Sequence, residues 1–267
     1  MVLLALGSPE VVHSTLMDGV QFGELHLRED ESAPDTDELL QYGTLEAVAI
    51  LHHTSEALLR LILAHEYLPA CPWLEIARLR QPGEFPKALK KLRRGLGDQE
   101  QQDRIVHVLR GGLTPAEVNV DISEDAWFAD RQGLIQLLEA AAERIDSEVQ
   151  LYNSVKHGLA AIAGAAHLKL GGEESPINVE ASGPMVTFMG LKKKTDGSIR
   201  WQKTTTWVRV ETTIAFSAML SKQIESLWSV ARLRYLGQSG GKIQPVTPDQ
   251  VQAVTSLGRT GGCTPLC

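Results

Sequence analysis

The sequence predicts a mainly α protein, a helical bundle with a β-hairpin inserted before its last long helix. Three observations lead there. In residues 132–167, Leu134, Leu138, Ala141, Ile145, Val149, Tyr152, Leu159, Ile162 and Ala166 recur mostly three or four apart, which marks a helix with one buried face. Residues 37–67 and 212–235 carry the same period. Between the last two stretches the pattern changes. Residues 185–191 alternate, Asp196-Gly197 is a hairpin turn signal, and residues 198–210 hold Ile199, Trp201, three consecutive threonines, Trp207 and Val208.

Taken in order, residues 1–34 read as an irregular segment, with a short strand at 20–27 and an acidic, Pro-containing linker after it. The first long helix opens at a Thr36 or Asp37 cap and ends before Pro69, with Val48, Leu51, Leu58, Leu59 and Ile62 facing inward. Glu56 and Arg60, one turn apart, should pair along its surface. Residues 73–80 can form a second helix, and Gln81-Pro82-Gly83 a turn. Residues 86–94 form a helix crowded with Lys87, Lys90, Lys91, Arg93 and Arg94, which Gly95 and Gly97 stop. Residues 98–110 are helical, with Ile105, Val106 and Leu109 inward. Thr114-Pro115-Ala116-Glu117 has capping-box spacing, but Val118, Val120 and Ile122 then alternate, so the region reads as loop. Residues 123–129 make a short turn anchored by Trp127 and Phe128.

Late in the chain, Ile224, Leu227, Trp228, Ala231 and Tyr235 share one helical face. Thr247-Pro248-Asp249-Gln250 is a second capping box, opening a short helix to Leu257. The organisation expected is therefore a bundle core at 35–169, a linker and hairpin at 170–210, C-terminal helices completing the bundle at 211–258, and a tail at 259–267.

At 267 residues, with 43% hydrophobic and 22% charged residues, the chain can bury a sizeable core. Its formal net charge of −7 argues against nucleic-acid binding by the whole surface, so any such contact needs a local patch. No run of about 18 apolar residues predicts a membrane span. Three cysteines, two of them in the last five residues, do not form a disulfide framework. A reduced, cytoplasmic protein without a membrane partner is the expectation. No phosphate-cradling glycine loop, G-x-S-x-G or H-E-x-x-H occurs, and no cofactor is expected.

The chemistry-bearing stretch is Tyr152-Asn153-Ser154-Val155-Lys156-His157-Gly158. Asp146, Gln150, Asn153 and His157 form a polar stripe at helical spacing. Asn153 and His157, one turn apart, can meet the same substrate atom, and His is the side chain poised to exchange a proton near neutral pH. Lys156 adds a fixed charge. Gly158, Ala160, Ala161 and Gly164 allow a second backbone to approach, which suits a site at a two-fold axis. Two basic tracts suit phosphates: the 86–94 helix, and the hairpin, where Lys192, Lys193, Lys194, Arg200 and Lys203 interleave with Trp201. The alternative for both is a solvated face. His52, His53 and Glu56 invite a metal reading, with His157 as a further ligand. No other helix completes the set, so the metal assignment is none and a helical metal-binding protein stands as an alternative.

The helix–linker–helix layout, with Asn-x-x-x-His followed by Gly late in a bundle, resembles the HEPN superfamily over roughly residues 37–236. The resemblance implies a homodimeric, metal-independent endoribonuclease of toxin–antitoxin or phage-defence type, with a neutralising or regulatory protein partner. Its motif is an arginine, a polar residue, about three variable residues and a histidine. Asn153 takes the polar position and His157 the histidine, with Lys156 as the nearby cation. The arginine position is Tyr152, and that departure favours the alternative of a catalytically inactive HEPN-like module that binds RNA or a protein partner.

Overall fold

The computed structural model describes residues 36–157, 161–170, 179–193, 197–238 and 241–255. The expected strand at 20–27, the linker after it and the C-terminal tail lie outside the described residues. The chain is mainly helical with one small antiparallel sheet. It divides into two compact units. One takes in residues 36–49 and Gln150–Val210 of the described chain, and the other Ile50–Val149 and residues 211–255.

The larger unit is built on helices. α1 (Thr36–His65) supplies its second half, followed by α2 (Pro72–Leu79), α3 (Glu84–Gly95), α4 (Gln99–Arg110), the one-turn α5 (Pro115–Val118) and α6 (Glu124–Ser147). Beyond the sheet come α8 (Val210–Leu236) and α9 (Pro248–Thr255), with α7 left to the other unit. Most of the apolar stripes expected from sequence form the core, but Val149, Ile162 and Trp228, expected on buried faces, are exposed. Leu58, Leu59 and Ile62 of α1, Ile105, Val106 and Leu109 of α4, and Leu134, Leu138 and Ala141 of α6 are fully buried in one cluster, which Phe216, Leu220 and Leu227 of α8 join. Burying each of the Leu, Ile, Val and Phe side chains stabilises the fold by about 1.5–3 kcal/mol. α1 is long and apolar enough to cross a membrane by length and composition, with an 18-residue stretch of mean hydropathy 1.3. Its central Leu58, Leu59 and Ile62 are instead packed in protein, as in a core helix.

Capping sets several boundaries. Thr114 Oγ1 accepts from Glu117 N, so the first capping box does close one turn, the loop reading notwithstanding. Ser123 caps α6 through Ala126 N, so the short turn expected at 123–129 is the first turn of that long helix. Trp127 is buried and donates to the Leu113 carbonyl at 2.7 Å, whereas Phe128 is exposed. At α9 the box is reciprocal: Gln250 N donates to Thr247 Oγ1, and Thr247 N to Gln250 Oε1 at 3.0 Å.

A buried polar network ties this unit together. Arg110, the last residue of α4, is fully buried, and all five of its guanidinium N–H groups are matched. Nε and Nη2 make a two-pronged contact with Asp130 of α6, at 2.6 and 2.8 Å. Nη1 donates to Gln223 Oε1 of α8 and to the Leu109 carbonyl, and Nη2 also reaches the Gln244 carbonyl. Asp130 Oδ1 accepts in addition from Val246 N at 2.7 Å. The segment before α9 is thereby fastened to α6 and α8. Gly133 of α6 is needed beneath it, because a Cβ there would run into the Val246 carbonyl and come within 2.8 Å of Thr247 Cα.

The smaller unit contains the sheet. The single helix expected over 132–167 is three elements. α6 ends at Ser147 with Glu148 as its C-cap, α7 spans Val149–His157, and residues 161–170 are strand β1 (Ala161–Leu170). β2 (Val179–Lys193) and β3 (Ile199–Trp207) follow, in the order β1-β2-β3, all antiparallel. The hairpin expected before the last long helix is β2–β3, with Gly197 in the left-handed region at φ 83°. The bundle core expected to reach residue 169 thus gives way at 161. Ala161-Ile-Ala-Gly-Ala-Ala satisfies helical and strand spacing equally, and pairing of all ten residues with β2 decides for the strand. Ala163, Val186 and Phe188 are buried on one face of this sheet. α7 covers that face, since Gln150 Nε2 donates to the Leu191 carbonyl at 3.2 Å and a Cβ on Gly190 would lie 2.5 Å from Gln150 Oε1.

Removing one partner of the buried pair leaves an unpaired charge in the core. Asp130→Ala is expected to lower unfolding free energy by about 3–5 kcal/mol. Arg93→Ala, which breaks a surface pair with Asp146, is expected to cost under about 1 kcal/mol. Urea titrations of both variants measure the contrast, and equal losses would contradict it.

Candidate functional site

The expected catalytic stretch lies on α7. Tyr152 is buried at 6% exposure, so the position that holds arginine in the resembled motif carries a core-facing ring. Asn153 and Lys156 are exposed. Lys156 Nζ lies 5.8 Å from the centre of the Tyr152 ring, a cation–π contact. His157 is the last residue of α7, and its side chain lies outside the described part. The polar stripe is not continuous: Asp146, on α6, bonds Arg93 at 2.6 Å, and Gln150 bonds the Leu191 carbonyl. Ala161 and Gly164, expected on a close-packing helix, are strand residues paired with Phe188 and Met185.

Among the described residues no group of three or more His, Cys, Asp or Glu side chains could hold an ion. Glu56 is engaged by Arg60 at 2.7 Å, and His52 Nε2 stands 4.0 Å from it.

The basic helix, by contrast, makes a concave site. α3 buries Phe85, Leu89 and Leu92. Its opposite side presents Lys87, Lys90, Lys91 and Arg94, which with Arg78 of α2 line an open groove of about 520 Å³. Among the described residues none of Lys87, Lys90, Lys91 and Arg94 has an ion-pair partner, and Lys91 Nζ lies 5.9 Å from the centre of the Tyr67 ring. Arg78 is held by Glu75 at 2.8 Å and Glu84 at 2.9 Å, and the hydrogen bond to Glu75 raises its pKa above the ordinary guanidinium value. Arg93 does not line the groove, because it turns toward Asp146.

A second, smaller cavity of about 190 Å³ adjoins this groove, and the two share Arg78, Ala88 and Lys91. Its wall includes Glu66, Tyr67 and Gln101, none of which the sequence reading singled out. Glu66 and Gln101 are buried, with Gln101 Nε2 donating to Glu66 Oε1 at 3.0 Å. The chain after α1 is held by Tyr235, whose hydroxyl donates to the Pro69 carbonyl and whose ring meets His65 edge-on.

On the hairpin, Trp201, Arg200 and Lys203 are exposed, with Trp201 opposite Leu191 and Lys203 opposite Met189. Ile162, Met189, Leu191 and Trp201 share the face that α7 does not cover. Lys192 and Lys193 end β2 opposite Arg200 and Ile199, while their side chains, and Lys194 altogether, lie outside the described part.

No protein-family model, curated protein or solved structure matches this chain.

Burial, and then the nearby Arg234 charge, lower the His65 pKa from its ordinary 6.5. The folded state therefore resists protonation while the unfolded chain takes up a proton near 6.5, so stability falls as pH drops from about 7 through the folded pKa. Replacing His65 with Gln is expected to flatten that slope in denaturant melts at pH 7, 6 and 5. An unchanged slope would remove His65 as its source.

Proposed function

We propose that this chain is an RNA-binding helical module that takes the phosphate backbone in the groove of α3, and that α7 carries a degenerate HEPN-like motif. The observation that supports this is the groove itself. Lys87, Lys90, Lys91 and Arg94 converge on one concavity of an otherwise acidic chain, all four without ion-pair partners among the described residues. Such a local patch suffices for counterion release. The exposed Trp201, beside Arg200 and Lys203, offers a separate stacking surface for single strands. Tyr152 favours binding over turnover, because no guanidinium stands at the motif's first position to meet a scissile phosphate.

Fluorescence anisotropy with a single-stranded RNA at several salt concentrations tests the groove. Each phosphate contact contributes about 0.7 to the slope of log K against log salt, so four contacts give a slope near −3. Lys87→Glu, Lys90→Glu and Arg94→Glu together should weaken binding more than tenfold and flatten the slope. Binding that survives the triple change at full slope rules the groove out.

A second reading, a dimeric metal-independent endoribonuclease, is favoured by the exposure of Asn153 and Lys156 on the helix that ends in His157. It predicts RNA cleavage in EDTA that His157→Ala abolishes without loss of fold, with a dimer mass by light scattering. Absence of wild-type cleavage refutes it.

A further inference from the structure

The geometry points to a guanine-nucleotide site in the cavity beside the α3 groove, with the base in the cavity and its phosphate on the groove cations. This rests on the groove being an anion site, as proposed above. Glu66 carries the argument. It is 7% exposed, yet only its Oε1 is engaged, by Gln101 at 3.0 Å and by the Arg104 charge at 3.5 Å. Among the described residues Oε2 receives no hydrogen bond, and Glu66 lines the cavity. A ligand N–H in the cavity would find an acceptor in this carboxylate.

The rest of the cavity fits a flat base. Leu63, Ala64 and Leu92 supply apolar wall, and Tyr67 adds a ring at its edge. At about 190 Å³ it is smaller than the roughly 300–1,000 Å³ of sites for drug-sized ligands, so it admits one ring system and not a whole nucleotide. The adjoining groove, entered past Arg78, Ala88 and Lys91, accommodates sugar and phosphate beside Lys87 and Arg94. An ionised carboxylate only accepts hydrogen bonds. Guanine presents two adjacent donors, its ring N1–H and its exocyclic amino group. Adenine sets an acceptor nitrogen beside its amino group, which a carboxylate repels. A site built on such pairing rejects the mismatched analogue strongly.

Calorimetric titration of the full chain with GMP, AMP, UMP and inorganic phosphate, and of oligouridylate with and without a terminal guanosine, tests this. GMP should bind at least tenfold tighter than AMP and UMP. Glu66→Gln should erase that preference while leaving phosphate binding unchanged. Leu63→Trp, which fills the cavity from a wall that the groove does not share, should do the same and serves if Glu66→Gln fails to fold. Tighter binding of guanosine-ended oligouridylate than of GMP identifies an RNA end as the ligand, and the reverse order a free nucleotide; either supports the site. Equal binding of GMP, AMP and UMP overturns it. If oligouridylate binds with the groove's salt slope while GMP shows no preference, the cavity inference fails and the groove reading stands. If GMP binds in a Glu66-dependent way and oligouridylate does not bind, the groove reading fails instead.

Discussion

The constraint on which the helical unit depends is the complete satisfaction of Arg110. A guanidinium with no exposure is tolerable only if every N–H has an acceptor and the charge has a counterion. Here the acceptors come from three elements and a loop: Asp130 on α6, Gln223 on α8, the Leu109 carbonyl on α4 itself, and the Gln244 carbonyl before α9. None of these groups can shift along its helix without orphaning a donor. The apolar core of leucines and isoleucines sets how strongly the helices associate, but it would accept neighbouring registers. The Arg110 network accepts one. That is a gain in specificity more than in stability, since an apolar set of the same volume could be as stable.

The same network holds the cavity in register. α4 runs from Gln99 to Arg110, with Gln101 near one end and Arg110 at the other. Arg110 locks the helix along its axis, and one turn of slippage, about 5.4 Å, would carry Gln101 away from Glu66. Around the cavity, Tyr235 of α8 holds the Pro69 carbonyl after α1, and Arg60 Nη1 donates to the Leu79 carbonyl at the end of α2 at 2.5 Å. α3 needs no such fastening. Phe85, Leu89 and Leu92 anchor it by burial, and its lysines and Arg94 are left to solvent and to any anion that enters.

What was legible in the sequence was whatever rests on local pattern. The stripes of α1 and α4, the capping box at Thr247, the β2–β3 hairpin and the basic face of α3 all follow from spacing or turn chemistry, whereas on α8 the expected stripe holds for Leu227 and Ala231 but not for the exposed Trp228. What was illegible depends on pairing between distant segments. Residues 161–170 hold small residues that fit either period, and only β2, reached after an intervening segment, makes them a strand. Phe128 reads like Trp127, yet only Trp127 finds a carbonyl partner and a core. Arg93 reads like Lys90 and Arg94, but a carboxylate 53 residues away claims it. Arg110, Asp130 and Gln223 are each unremarkable as letters, and Glu66 is one more charge at the end of an apolar helix. Their roles arise from burial, which no short motif encodes.

If the groove takes a polyanion, as proposed, it does so against the net field of an acidic chain. Screening settles the matter. At physiological ionic strength the Debye length is about 8 Å, so charges elsewhere on the surface are largely hidden from a phosphate that has entered the groove. Inside it, four cations act at contact distance with low-dielectric walls behind them, and Arg78, though paired with Glu75 and Glu84, still contributes donors. The net charge of −7 then acts at longer range, opposing loose non-specific association with nucleic acid. On the proposed reading, a chain charged in this way would discriminate by entry: a backbone that reaches into the concavity would be held, and a duplex that meets only the outer surface would be turned away.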